Sequence, residues 1–107
     1  VGPTSDPAEL VRITEILNPA NEKGRLTLIS RMGADRVEAK LRPLLAAVAR
    51  AGRNVTWLCD PMHGNTTTVG AYKTRSFDAI MAEVRGFFAA HDAEGTIPGG
   101  VHVEMTG

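Results

Sequence analysis

Two short apolar runs, Leu26-Thr27-Leu28-Ile29 and Val55-Thr56-Trp57-Leu58, constrain this chain more than any other feature. Each is bounded by polar or glycine-containing sequence and is too short for a helix. An unbroken apolar run of that length is what a strand covered on both faces requires.

Stretches with helical period flank them. Asp6, Pro7 and Glu9 form a helix start, with Asp6 as the cap, Pro7 at the first helical position and Glu9 completing a capping box. Leu10, Ile13 and Leu17 make the apolar face of this helix, and Asn18-Pro19 ends it, because a residue before proline is pushed out of the helical region. A second helix is predicted from near Asp35, with Val37, Leu41, Leu44, Leu45 and Val48 inward, a kink or split at Pro43, and Gly52 as its left-handed terminator. After Cys59 a long loop leads to Ser76, the predicted cap of a third helix whose apolar face is Phe77, Ile80, Met81, Val84 and Phe88. A last strand, Val101 to Met105, follows the glycine- and proline-rich residues 95–100. Helix and strand alternate three times, so the fold class is α/β with a parallel sheet. No domain boundary falls within residues 1–107, which read as a single segment.

Twelve Lys plus Arg balance twelve Asp plus Glu. With no field of one sign, nucleic acid and anionic membranes are poor partners. One cysteine excludes an intrachain disulfide and fits a reducing cytoplasm. No apolar run approaches the ~20 residues of a membrane span, and VGPTSDPAEL has neither the basic start nor the apolar core of a signal peptide. A cytoplasmic protein with no membrane partner is the expectation.

The polar residues gather at the C-terminal ends of the strands: Ser30 and Arg31 after the first, Asp60 and His63 after the second, Glu104 near the end of the third. In parallel α/β proteins ligands bind at that end. An imidazole and a carboxylate suit a divalent cation, although His63 and Glu104 alone are too few to hold one. The alternative for Glu104 is a solvated residue on a half-exposed strand. Cys59, close to His63, reads as a small buried apolar side chain rather than a third ligand. Arg31 suits a bidentate anion contact or a surface ion pair. Lys73 and Arg75, just before a helix N-terminus, suit a second anion or plain solvated charge. His91 in the last turn of the third helix suits a cation on the helix dipole. His102 can orient Glu104 from beneath or be a satisfied interior histidine.

Four blocks, GRLTLISRMG (residues 24–33), WLCDPMHGNT (57–66), KTRSFD (73–78) and PGGVHVEMTG (98–107), together resemble the C-terminal half of the catalytic barrel of type II 3-deoxy-D-arabino-heptulosonate 7-phosphate (DAHP) synthases. The resemblance runs from Val1 to Gly107 and is specific, since the blocks keep the family's order and nearly its spacing. It implies a (β/α)8 TIM barrel of which this chain supplies about the last three strands. It implies a transferase that condenses phosphoenolpyruvate with erythrose 4-phosphate, the first step of the shikimate pathway toward chorismate and the aromatic amino acids.

By resemblance, His63 and Glu104 match metal ligands, Arg31 matches a phosphoenolpyruvate-binding arginine, and manganese or cobalt is the implied ion. Lys73 and Arg75 match a basic segment near the site without a firm role. Asp60, which sets the turn, and His102 are read from their positions, not from the resemblance, as residues that support the ligands. The family's cysteine ligand lies on an earlier strand, so Cys59 does not inherit it. The family's enzymes are several times longer, so the chain is expected to be a segment of a longer enzyme or one piece of a split one, inactive alone. The rest of the same barrel, or a complementary chain, is its expected partner, and the full-length protein is expected to be a homo-oligomer. Two alternatives are a non-catalytic barrel fragment that needs a second polypeptide, and a related synthase joining phosphoenolpyruvate to another aldose phosphate.

Overall fold

The computed structural model describes the backbone of residues 1–69, 72–75 and 77–103, and the side chains of residues 1–65 and 77–103. The elements in chain order are α1 (Pro7–Leu17), β1 (Thr27–Ser30), α2 (Val37–Arg50), β2 (Thr56–Cys59), a 3-10 turn (His63–Asn65), β3 (Thr66–Val69), β4 (Tyr72–Arg75), α3 (Phe77–Glu94) and β5 (Gly100–Val101). The three predicted helices and three predicted strands are present. The expected long loop after Cys59 is instead a 3-10 turn followed by the antiparallel β3–β4 hairpin. Threonines and valine at 66–69 favour extended backbone, and the pairing satisfies amides that a bare loop would leave to solvent.

The main sheet has the order β1-β2-β5 and is parallel, with Leu28 beside Trp57, Ser30 beside Cys59, and Cys59 beside Val101. Beyond Val101 the His102 N–H still donates to the Cys59 carbonyl, at 2.7 Å. The last strand is therefore shorter than the predicted Val101 to Met105 over the described residues, and Glu104 and Met105 lie outside them. On the outer edge of β1, the Val1 amino group donates to the Ile29 carbonyl at 2.7 Å and the Arg31 N–H donates to the Val1 carbonyl at 2.9 Å. That is the bonding of a parallel neighbour, with Val1 in register with Ser30.

The helices cover one face of β1 and β2. Leu28, Trp57 and Cys59 are buried with Leu41, Leu44, Leu45 and Val48 of α2 and Phe87 and Ala90 of α3. On the other face Ile29 is 40% exposed and Leu58 is half-buried. The expectation of strands buried on both faces is thus met on one face only within this chain.

Asp6 caps α1 as predicted, its Oδ2 accepting the Glu9 N–H at 3.0 Å. The buried stripe of α1, however, is Leu10 and Thr14, whereas Ile13 and Leu17 of the predicted face stay exposed. α2 begins at Val37, two residues past Asp35 and close to the predicted start. Its first amides are met by the Gly33 carbonyl rather than by a side-chain cap. The five predicted apolar residues of α2 are all buried. The helix runs unbroken through Pro43, so the predicted split does not occur; the tertiary packing of that face outweighs one lost hydrogen bond. It ends in a Schellman motif at Gly52 (φ +67°), with the Arg53 N–H on the Val48 carbonyl.

α3 is rotated from the prediction. Its buried residues are Glu83, Gly86, Phe87, Ala90 and His91, while Phe77 is 73% exposed and Phe88 is exposed as well. Gly86 explains the choice of face: a Cβ there would stand 2.2 Å from Val37 Cγ1, so the helix turns its small residue to α2. The predicted cap, Ser76, lies outside the described residues.

Candidate functional site

Three chain segments meet at the C-terminal ends of β1 and β2: the β1–α2 loop carrying Arg31, the turn after β2 carrying Asp60 and His63, and one buried side chain of α3. The turn is built by Asp60. Its Oδ1 accepts the N–H groups of Met62 (3.0 Å) and His63 (3.2 Å), and its Oδ2 lies 2.5 Å from His63 Nδ1. An aspartate bonding backbone amides two and three residues ahead is the natural way to turn a chain leaving a strand. Burial pushes the Asp60 carboxyl up, but the Met62 and His63 amides and the His63 ring together hold it below the ordinary carboxylate value. The ionised form therefore faces the ring and sets its orientation, and the His63 side chain is 43% exposed.

Arg31 leaves β1 exposed and lines a cleft of about 370 Å³. Arg36, Asp35, Pro3 and the backbones of Gly33 and Gly64 complete its walls. Arg36, which the sequence reading did not single out, is the N-terminal flanking residue of α2, so two guanidinium groups and a helix N-terminus border the same space. A larger hollow of about 540 Å³ lies between α2 and α3 around Pro43 and an Arg42–Glu94 ion pair, away from the strand ends.

The loop and the turn are joined by a residue that sequence reasoning missed. Glu83 of α3 is fully buried. Its Oε2 accepts the Met32 N–H and its Oε1 the Gly33 N–H, each at 3.0 Å, and Oε1 also accepts from Asn65 Nδ2 at 2.8 Å. Asn65 in turn donates to the Pro61 carbonyl at 2.7 Å and accepts the Ala34 N–H at 2.9 Å. Burial raises the Glu83 carboxyl, and the amides of Met32, Gly33 and Asn65 offset that only in part. The available signal was a helical stripe of Glu83, Gly86, Phe87 and Ala90, in which a mid-helix glycine asks for a close neighbour.

The remaining candidates divide. Cys59 is fully buried, and burial with the nearby Glu83 and Asp60 charges pushes its thiol up to about 12, so it is a packing residue as expected. His91 is not a cation on the helix dipole. It is fully buried, edge-on to Phe87 and Trp57, with Nδ1 2.8 Å from Thr96 Oγ1, and burial lowers its pKa. The reason is the same rotation of α3 that buries Glu83. His102 is exposed rather than interior. Lys73 and Arg75 lie on β4, paired with Thr68 and Thr66, and their side chains, like Glu104, fall outside the described residues. Among the described residues no three His, Cys, Asp or Glu side chains gather as a metal site, and no helix is long and apolar enough to cross a membrane.

The profile of the class-II DAHP synthetase family matches residues 1–107. The chain is 53% identical over its whole length to a phospho-2-dehydro-3-deoxyheptonate aldolase of Mycolicibacterium smegmatis, covering 23% of that protein. It is 48% identical, again over its whole length, to the Streptomyces coelicolor protein of the same name, covering 24% of it. A Catharanthus roseus chloroplastic protein named as a probable phospho-2-dehydro-3-deoxyheptonate aldolase is 58% identical over 88% of the chain, which covers 19% of that relative. The chain thus spans about a fifth to a quarter of the length of the curated relatives it matches. With the match running through the strand-end loops as well as the helices that support them, this chain belongs to the class-II DAHP synthetase family.

Proposed function

We propose that the protein containing these 107 residues is a DAHP synthase, and that residues 1–107 are a single segment of its barrel-shaped catalytic domain. The observation that carries the reading is the junction of the Arg31 loop and the His63 turn at the C-terminal ends of adjacent parallel strands. Two features favour a barrel over a doubly wound sheet. Among the described residues, helices cover one face of β1 and β2 and leave the other open, and Val1 already occupies the next ladder position beyond β1.

Arg31 is the proposed contact for the phosphate or carboxylate of phosphoenolpyruvate, with Lys73 and Arg75 as further anion contacts. His63 and Glu104 are the proposed metal ligands. The donor chemistry of His63 fits, because an imidazole held at Nδ1 by a carboxylate is the arrangement that metal-bound histidines use. A divalent ion there, manganese or cobalt, would supply Lewis acidity toward an aldehyde oxygen. Asp60 keeps the ring oriented, with His102 a further supporting residue. In the reaction, C3 of phosphoenolpyruvate bonds to the aldehyde carbon of erythrose 4-phosphate, water adds at C2, and phosphate leaves from C2. The residues of this chain contribute by holding the reactants in register, an effect that reaches several kcal/mol of barrier, roughly 7–11 in the best-oriented systems.

Full-length protein with manganese, phosphoenolpyruvate and erythrose 4-phosphate is expected to release inorganic phosphate. Failure to release it overturns the reading. Phosphate release with a different aldose phosphate alone would point to a related synthase instead. The 107 residues by themselves are expected to give no turnover.

A further inference from the structure

We propose that Glu83 is a positioning residue of the site, a buried strut that locks the Arg31 loop and the His63 turn into one unit. The proposal rests on the DAHP synthase reading and deepens it. Two loops that follow different strands, more than thirty residues apart in sequence, converge on one carboxylate. Met32 and Gly33, immediately after Arg31, bond its two oxygens directly, and Asn65, two residues after His63, bonds it through the side-chain amide. Asn65 closes the circuit by also holding Ala34 of the first loop and Pro61 of the second turn.

The chemistry requires a carboxylate. Three N–H donors point at its two oxygens, and only an ionised carboxylate accepts at both oxygens while donating nothing. A glutamine in the same place would set its own NH2 against one of those donors. Placing a carboxylate among uncharged donors in a buried site is costly, and an apolar residue would fill the space between α3 and β1 at less cost. The helix contact itself is served elsewhere, by Gly86 against Val37 and by Phe87 in the core. What Glu83 adds is a fixed relation between the anion-binding arginine and the metal-ligating histidine. Each of these is exposed and gains its precision from the backbone that carries it.

The test uses the full-length protein with Glu83→Gln and Asn65→Ala. Manganese Kd is measured by titration calorimetry and phosphoenolpyruvate KM by phosphate release, both well below each variant's melting temperature. Glu83→Gln is expected to raise both constants at least fivefold and to lower kcat/KM by ten- to a hundredfold. Asn65→Ala, which leaves the Met32 and Gly33 bonds in place, is expected to raise the manganese Kd more than the phosphoenolpyruvate KM. A merely structural glutamate would lower the melting temperature while the folded molecules kept wild-type constants. Both constants within twofold of wild type in Glu83→Gln overturn the proposal. If that variant does not fold, an unchanged manganese Kd in Asn65→Ala overturns it. A wild-type protein that binds manganese but makes no DAHP would defeat the functional reading alone, since the metal titration still reads the strut.

Discussion

A Cβ added to Gly64 would lie 2.6 Å from the Gly33 amide nitrogen and 3.1 Å from its Cα, so the turn carrying His63 and the loop carrying Arg31 touch backbone to backbone. Gly33 is itself at φ +91°, a conformation that side chains rarely adopt. Gly64→Ala must push the two segments apart. We expect at least a tenfold loss in kcat/KM of the proposed synthase activity in the full-length protein, with roughly 1–3 kcal/mol of destabilisation from the forced contact. Steady-state kinetics beside a denaturant melt check this; full activity would show that the close approach is dispensable.

Asp60 holds the His63 ring through a 2.5 Å contact at Nδ1 and the turn through two amides. Asp60→Asn keeps the size but removes the charge that favours one ring orientation. Loss of such a partner typically weakens metal affinity about 10–100-fold. Manganese titration of the full-length variant measures it, and an affinity within twofold of wild type would remove Asp60 from the supporting role.

The Cys59 thiol, pushed up to about 12 by burial, carries almost no thiolate at neutral pH. In the native full-length protein, iodoacetamide at pH 8 should leave the Cys59 peptide unmodified, whereas denaturation should expose it. Cys59→Ala should keep the manganese stoichiometry and cost roughly 1 kcal/mol of stability. Loss of metal on that substitution would make Cys59 a ligand after all.

His91 is buried as the neutral ring, its pKa lowered from the usual 6.5 by desolvation. The unfolded chain therefore binds a proton at a pH where the folded one does not. Stability from this group is complete above about 6.5 and is lost as pH falls through that value toward the lower folded pKa. Melting temperatures of the full-length protein between pH 7.5 and 5 should fall more steeply for wild type than for His91→Gln, which can keep a bond to Thr96. Equal slopes would place the acid sensitivity elsewhere.

The elements were legible because they depend on local rules. The Asp6 cap, the Asn18-Pro19 stop, the inward residues of α2 and the Gly52 terminator all follow from short-range chemistry, and all four appear. The orientation of α3 was not legible, because counting apolar residues favours the stripe from Phe77 to Phe88. The real face is chosen by what it meets: Val37 leaves room only for Gly86, and the loop amides after Arg31 call for Glu83. For the same reason the candidate site was read in part. Arg31, Asp60 and His63 announce themselves by residue type at strand ends, whereas the carboxylate that joins them lies twenty residues beyond His63, on a helix that seemed purely structural. His91 was misread as a cation by the same rotation.

The sheet that is dressed on one side only also bears on how the polypeptide matures. Among the described residues, Ile29 and Leu58 offer apolar surface in a sheet whose β5 edge pairs with no further strand, a combination that attracts other unpaired strands. Made in isolation, these 107 residues are expected to cluster increasingly as their concentration rises. Under the barrel reading proposed above, the intact polypeptide shields these strands once their neighbours close over them, so chaperone demand should peak just before closure, and the binding end should take shape together with the enclosure itself.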